Sequence, residues 1–544
     1  MSSTPVPLPP ATETFQITKQ SINSITFNST KTLYGINVNP SIKISFSDKV
    51  DKSSLSSAIT FSNKSMNSSS VSYLVSYLNN DSTIVISPAA NIPYLNEYVF
   101  SISTLLKSSS GNSLSNRADL DFFSQIDSTD KFQRISDSAL LTLVQQQTFK
   151  YFWDFGHPIS GLARERSNGD NETVTTGGSG FGIMAMVAAV NRGFITRSDA
   201  VTRLNKITRF LVTKCPRWHG AFSHWINGST GATIPFGNNN GADIVETSFL
   251  IEGLLTARQY FNSTTDANEI ALTDSINSIW HAVDWNWFTQ NGKANGLYWQ
   301  YNPSYTNTND MWSIPVTGWN EALITYVLAA SSSDHFISKN IYDNGWAGNG
   351  AMKNGKSFFG ITLPLGPDYG GPLFFSHYSF LGINPHSLSD TYANYWTQDT
   401  AQSKINYLYC VNNPKKYNGY SSLCWGLTAS DEENGYSAHS PTNDNGVISP
   451  TAAISSLPYT PTESMNALKF FYYKLGDKIW GDYGFKDAFN LTNIWFADSY
   501  LAIDQGPQIV MIENYRTGLL WNLFMSCPEI KTGMKNLGFQ SLYL

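Results

Sequence analysis

The stretch SDSALLTLVQQQTFKYFWDF, residues 136–155, marks the point where the chain changes its grammar. Ser136 and Asp137 give an N-cap signal, and Leu140, Leu143, Val144, Phe149 and Phe152 recur near a 3.6-residue period. This predicts an amphipathic helix. Helical patterning returns at 181–194, 198–215, 242–261, 274–288, 320–331, 379–410, 461–481 and 495–524. Long loops rich in Gly, Asn, Trp and Tyr separate these segments. No Val/Ile-rich strand alternates with them, which argues against a Rossmann or TIM architecture. About ten to twelve helices over residues 130–544 fit a mainly α fold. The expected form is an (α/α)6 barrel whose long loops build a cleft at one end.

Upstream the pattern has period two. Ile42/Ile44/Phe46, Val71/Tyr73/Val75, Ile84/Ile86, Tyr98/Phe100/Ile102 and Leu120/Phe122 alternate with polar residues, and no Trp occurs in this stretch. Asn-Asn-Asp and Ser-Gly-Asn clusters break the runs as turns. About seven short strands over residues 15–126 predict a small β-sandwich. Residues 1–14, rich in Pro and Ser, read as a tether.

The whole chain has 544 residues, of which 41% are hydrophobic, 14% aromatic and only 14% charged. Disorder is excluded, because a disordered chain needs few aromatics and a high net charge. The net charge of −6 argues against nucleic acid and against anionic lipid. A surface rich in Asn, Ser, Tyr and Trp suits a neutral, hydroxylated ligand such as a sugar. No run of 18 apolar residues predicts a membrane span. The opening Met1-Ser2-Ser3-Thr4-Pro5 lacks the charged and apolar regions of a signal peptide. The alternatives are a cytosolic protein and one whose signal has been removed; the tether-like opening favours removal, hence a periplasmic or secreted protein. Cys410 and Cys424 are spaced either to close a short loop by a disulfide or to stand as buried thiols.

Cleavage of a glycosidic bond needs two carboxyl groups flanking it, and four stretches offer acids in loop or cap settings. In NNNGADIVETS, Asp243 and Glu246 share one face of a helix start, where acids also simply favour the helix dipole. In TGWNEALITY, Glu321 follows Trp319 and precedes an apolar helix, a place for a capping residue or for a carboxyl of raised pKa. In SYLAIDQGPQIVMIENYRTG, Asp504 interrupts an apolar stretch, which is costly unless it is paired or faces a cavity, while Glu513 reads as the partner of Arg516. In GLTASDEENGYSAHSPTNDNG, Asp431, Tyr436 and His439 stand in a polar loop. The His219/His224 spacing lacks a metal-binding pattern such as H-E-x-x-H, so no metal is expected. Gly178-Ser179-Gly180 is only part of a nucleophile elbow and follows no predicted strand.

Read together, GLARERSN, TVTTGGSGFGIMA, GADIVETSFL, GWAGNG, ITLPLGPDYGGPLFFSHYSFLG, GYSAHSPTNDNGVISPTAA, YGFKDAFNLT, WFADSYLAIDQGP and MIENYRTGLLW resemble glycoside hydrolase family 144. The resemblance covers about residues 135–544. It implies an (α/α)6 barrel that hydrolyses β-1,2-glucan or releases sophorose from β-1,2-glucooligosaccharides, with inversion and without metal or organic cofactor. It also implies a catalytic cluster of Asp243, Glu246, Glu321 and Asp504. Glu321 is the expected acid, Asp504 and Glu246 belong to the basic side, and Asp243 holds the network. Trp225, Trp319, Trp346, Arg166, Tyr369, His377, Asp431 and His439 are the expected sugar contacts. Asn239, four residues before Asp243, joins the substrate-binding set; if relatives place an acid there, water activation or subsite chemistry differs in this chain. PSIKISFSDKV (40–50) and ISPAANIPYLNEYVFSIS (86–103) resemble the bacterial immunoglobulin-like module, expected to act as a spacer or docking surface rather than as a carbohydrate binder. The expected partner is a β-1,2-linked glucan met by a monomer. A hydrolase of another polysaccharide and a non-catalytic glycan binder are the alternatives.

Overall fold

The computed structural model describes residues 14–28, 31–305 and 311–544. The chain divides into two compact units at Thr129/Asp130. Most of the proposed tether lies outside the described residues.

The first unit is a sandwich, with ten strands among its described residues: β1 (Ile17–Ile22), β2 (Ile25–Thr26), β3 (Leu33–Ile36), β4 (Ile42–Phe46), β5 (Ile59–Asn63), β6 (Ser69–Ser70), β7 (Tyr73–Leu78), β8 (Thr83–Pro88), β9 (Glu97–Ile102) and β10 (Ala118–Ser124). One sheet runs β2-β1-β4-β8-β7, the other β3-β10-β9-β5-β6. The alternation seen in sequence sets the register. Ile42 and Ile44 pair with Ile86 and Ile84, and all four side chains are buried. In the facing sheet Phe100 lies between Phe61 and Leu120. A one-residue slip would turn each of these rows toward solvent.

Twelve helices of six or more residues are described in the second unit. They are α1 (Asp137–Trp153), α2 (Thr176–Asn191), α3 (Arg197–Lys214), α4 (Ile244–Tyr260), α5 (Ala267–His281), α6 (Leu323–Ser331), α7 (Tyr395–Asn412), α8 (Pro450–Ser455), α9 (Pro461–Ile479), α10 (Ala502–Thr517), α11 (Leu519–Ser526) and α12 (Pro528–Leu537). Ser136 caps α1 as its sequence predicts, its hydroxyl accepting from the Ala139 N–H. Two kinds of helix occur. In α2, α4, α6, α8 and α10 nearly every residue is buried, whereas α1, α3, α5 and α9 bury one stripe. Neighbours among the buried helices are α8–α10, α10–α2, α2–α4 and α4–α6; α1, α3, α9 and α12 back onto others. Helices α2 and α4 touch through glycine. A Cβ on Gly180 would stand 2.1 Å from the Phe249 carbonyl oxygen, and one on Gly253 2.2 Å from that of Gly180. The run GGSGFG therefore serves helix contact here.

Two long expected helices are cut short. The segment 379–410 becomes α-helical only at Tyr395, where the Asn394 side chain caps the start by accepting the Thr397 N–H; earlier in the segment Pro385 disfavours helical geometry at Asn384. The segment 495–524 starts its helix at Ala502 and breaks at Gly518, where φ is +69°. All four cysteines are buried free thiols, so Cys410 and Cys424 are unbonded. No helix among the described residues is long and apolar enough to cross a membrane.

Candidate active site

Two acidic groups form at the ends of the buried helices. The first is built on the start of α4. Asp243 is its N-cap: Oδ1 accepts the N–H groups of Val245 (3.1 Å) and Glu246 (2.9 Å), and Oδ2 meets His224 Nδ1 at 2.8 Å. Asp243 is wholly buried with both oxygens engaged, so the capping role and the site role coincide. His224 stacks on Phe236 at 3.9 Å. Burial alone would lower its pKa, but the charge of Glu246 and the bond to Asp243 outweigh that and raise it to about 9. His224 therefore carries a positive charge at neutral pH. Glu246 is half-buried and accepts from the Gly177 N–H at 2.7 Å and from Thr175 Oγ1 at 3.4 Å. Burial raises its pKa, the cation on His224 opposing the rise.

Glu321 sits on the short loop entering α6. Gly318 opens that loop at φ +76°, Asn320 Oδ1 caps the Ala322 N–H at 2.9 Å, and the Ser379 hydroxyl donates to the Glu321 carbonyl. Burial, reinforced by the negative charges of Glu246 and Asp243, pushes the Glu321 carboxyl up to about 7. A carboxylic acid so placed still holds its proton in mildly acidic solution, as a proton donor must.

The second group surrounds the first turn of α10. Asp504 is 4% exposed. The charge of Asp487 acts on it, and Asp504 Oδ2 and Asp487 Oδ1 are both buried with no hydrogen-bond partner among the described residues. Asp487 Oδ2 accepts the Asp431 N–H at 2.7 Å. Asp431 in turn takes Ser499 Oγ at 2.5 Å and Arg166 Nη1 at 3.0 and 3.2 Å. Arg166 also bridges to Glu165, with Nε 2.8 Å from Oε2. Burial, then the charge of Asp431 on Asp487 and of Asp487 on Asp504, holds both carboxyls above the usual carboxylate range. A cavity of about 450 Å³ adjoins this cluster, its lining including Arg166, Asn168, Asp431, Trp495, Asp498 and Ser499.

Tyr378 links the two groups. The charges of Asp504, Glu321 and Glu246 all reach it. Its ring is fixed among Phe181, Phe249 and Phe374, with centroids 5.1, 5.6 and 5.1 Å away. Its hydroxyl is buried and has no hydrogen-bond partner among the described residues. From a hairpin, Tyr436 faces Asp504, Asp487, Glu165 and Asp431 while remaining 45% exposed. Carboxyls whose charges converge on such a hydroxyl can grip a polyhydroxylated ligand and exchange protons with it.

The structure brings together Asp243, Glu246, Glu321, Asp504, Asp431 and Arg166 from the expected set. It corrects others. Trp346 is fully buried and offers no face for stacking. Trp319 is buried too; its Nε1–H binds Gln402 Oε1 at 2.8 Å, anchoring the Glu321 loop from behind. His377 is a core residue, 3.0 Å from Ser456 Oγ, its pKa pushed down to about 3 by burial. His439 is buried with Glu432 3.9 Å away. Asn239 spends its amide on the turn before Asp243, with Oδ1 3.1 Å from the Gly241 N–H and Nδ2 3.2 Å from the Ala242 carbonyl. Tyr369 packs on Phe358 in a small separate cluster. Trp225 stays half-buried, edge-on to Phe236. Glu513 pairs with Arg192 (Nε–Oε2 2.6 Å) rather than Arg516. Asp487, Glu165 and Tyr378 were not among the expected site residues. For Asp487 the available signal was a lone acid between aromatics in YGFKDAFN, as at Asp504.

Comparison with known proteins adds five matches. The family described as "Putative glucoamylase" matches residues 313–528, and the bacterial Ig-like domain matches residues 10–124. A curated exo β-1,2-glucooligosaccharide sophorohydrolase (non-reducing end) of Parabacteroides distasonis is 46% identical over 426 residues, covering 74% of this chain. The chain spans only 58% of that relative's length. The endo-β-1,2-glucanase of Chitinophaga pinensis, solved with sophorotriose and glucose, is 49% identical with a TM-score of 0.72, over 76% of this chain and 100% of that one. A β-1,2-glucanase structure from Parabacteroides distasonis is 37% identical with a TM-score of 0.71, over 96% of this chain and 74% of that one.

Proposed function

We propose, from the premise that the chain belongs to the bacterial family holding these β-1,2-glucanases and sophorohydrolases, that it hydrolyses β-1,2-glucosidic bonds. The substrate is β-1,2-glucan or its oligosaccharides, and the products are sophorose or short chains. The observation that carries this reading is that the charges of Asp504, Glu321 and Glu246 all act on the one buried Tyr378 hydroxyl. Glu321, held protonated by its surroundings, gives its proton to the glycosidic oxygen as the bond to the anomeric carbon breaks. Asp504 takes a proton from the water whose oxygen attacks that carbon from the opposite face. The sum is one water consumed and two hydroxyl ends formed. Afterwards Asp504 loses its proton to solvent and Glu321 regains one. Glu246, Asp243 and the cationic His224 keep negative charge beside Glu321, which raises its pKa. The low charge and high aromatic content of the chain suit a neutral sugar polymer.

The buried helices support an (α/α)6 barrel. Going round, α8, α10, α2, α4 and α6 supply five inner positions, and the short turns at 373–380 stand where a sixth inner element belongs.

Incubation with linear β-1,2-glucan and with β-1,2-glucopentaose, followed by chromatography, tests the reading. Sophorose or short β-1,2-oligosaccharides are expected, and a β-1,3-glucan should stay intact. A spread of sizes from the polymer marks endo action; sophorose alone from the pentaose marks exo action. No product from either β-1,2 substrate would refute the assignment.

A further inference from the structure

Phe236 is a large apolar side chain left 39% exposed, yet its ring is fixed. One face lies flat on His224, with centroids 3.9 Å apart and planes 7° from parallel. Trp225 meets Phe236 at 89° with centroids 5.0 Å apart, and lies 5.6 Å from His224. Those three separations put Trp225 at the side of the stack, its centroid level with the gap between the two rings. The outer face of Phe236 therefore carries neither ring, and no other aromatic contact to it exists among the described residues. The backbone beneath is held as well. Phe236 and Asn239 exchange N–H···O bonds of 2.9 and 3.0 Å, and Asn302 Nδ2 donates to the Asn238 carbonyl at 2.6 Å. The turn so closed leads straight into Asp243. His224 ties the exposed ring to the acidic group, because the same imidazole meets Asp243 Oδ2 at 2.8 Å. Trp225 pairs in register with Thr175, whose hydroxyl lies 3.4 Å from Glu246 Oε2.

Resting on the reading of this site as that of a β-1,2-glucan hydrolase, we propose that Phe236 is a substrate-binding residue: the inner face of its ring rests on His224, and the outer face receives one pyranose ring of the glucan next to the Asp243–Glu246 group. A β-glucopyranose chair carries its hydroxyls round the rim and C–H bonds on its faces. A flat aromatic ring can therefore cover it without stripping a hydroxyl of its partners. The C–H hydrogens meet the negative face of the ring quadrupole, and an uncharged platform suits a neutral sugar. Trp319 and Trp346, which the sequence offered for stacking, are buried; Phe236 takes that role from a loop seven residues before Asp243.

The test compares Phe236→Tyr, Phe236→Leu and Phe236→Ala in the full chain, reading kcat and KM on β-1,2-glucopentaose together with Tm. Tyr keeps the flat face; Leu keeps apolar cover on His224 without one. KM should rise about tenfold in the Leu and Ala variants, the effect of leaving roughly 50 Å² of ring uncovered by sugar, with the smaller loss in kcat. Tyr should restore KM. Calorimetry of the pentaose on Glu321→Gln, with and without Phe236→Leu, should read the same tenfold as Kd, free of turnover. Unchanged KM and Kd in the Leu variant overturn the proposal. So does a joint fall in kcat and Tm at constant KM, which would make Phe236 a prop for His224, and so does a Tyr variant as weak as Leu. A wild-type chain that neither binds nor cleaves the pentaose fails differently: the β-1,2-glucan reading itself falls, and the platform with it, before any variant is compared.

Discussion

Glu321→Gln is expected to lower kcat by about 10²–10⁴-fold, the range for losing a positioned proton donor, while leaving Tm and KM close to wild type. The amide matches the protonated carboxyl in shape and charge, so the loop at Gly318–Ala322 has no reason to move. Only the proton is missing. The pH profile carries the same signature. Burial and the charges of Glu246 and Asp243 push Glu321 up to about 7, so the wild-type rate should fall as pH rises through about 7 and the donor is lost. In the Gln variant that limb should vanish. The deficit should also shrink on a nitrophenyl β-sophoroside, whose leaving group departs without a proton. Near-normal turnover of the polymer by the Gln variant would place the acid elsewhere.

Asp504→Asn is expected to cost a similar factor, about 10²–10⁴-fold in kcat, but with no recovery on the activated substrate. The attacking water needs its proton removed however good the leaving group is. Stability should move the other way from activity. The raised pKa of the buried pair means that the folded state holds protons more tightly than the unfolded chain. Its stabilising effect is complete below the unfolded carboxyl pKa and is lost as pH rises through the folded one. At pH 7 the acidic cluster therefore works against the fold, and the neutral Asn should hold Tm level or raise it. A fall in both rate and Tm would show that Asp504 is a structural residue.

The helical class, the preceding sandwich and the catalytic candidates were legible because each leaves a local mark. The α1 segment shows its cap and its period. Alternating Ile and Phe rows show the sheets. Asp504 shows itself as a charge in an apolar run. What sequence could not separate was a residue that touches the cleft from one that holds it up. Trp319 lies two positions from Glu321 and reads as a stacking platform, yet its indole anchors the loop to Gln402. Trp346 and His377 lie in aromatic loops and fold into the core. Asn239 looks like a departure in the cleft but shapes the turn that aims Asp243. Conversely, Asp487 and Tyr378 acquire meaning only from partners far along the chain. Asp487 is 56 residues from the Asp431 amide it accepts from, and no local spacing reports that contact.

The most direct test of two opposed carboxyl groups acting through water is the stereochemistry of the first product. Proton NMR during the first minutes of β-1,2-glucopentaose hydrolysis resolves the new reducing end before it mutarotates. Attack by water opposite the departing β-linked oxygen predicts that the α-anomer appears first. The β-anomer appearing first would mean retention through a covalent intermediate, and would contradict the assignment of Asp504 as a base acting on water.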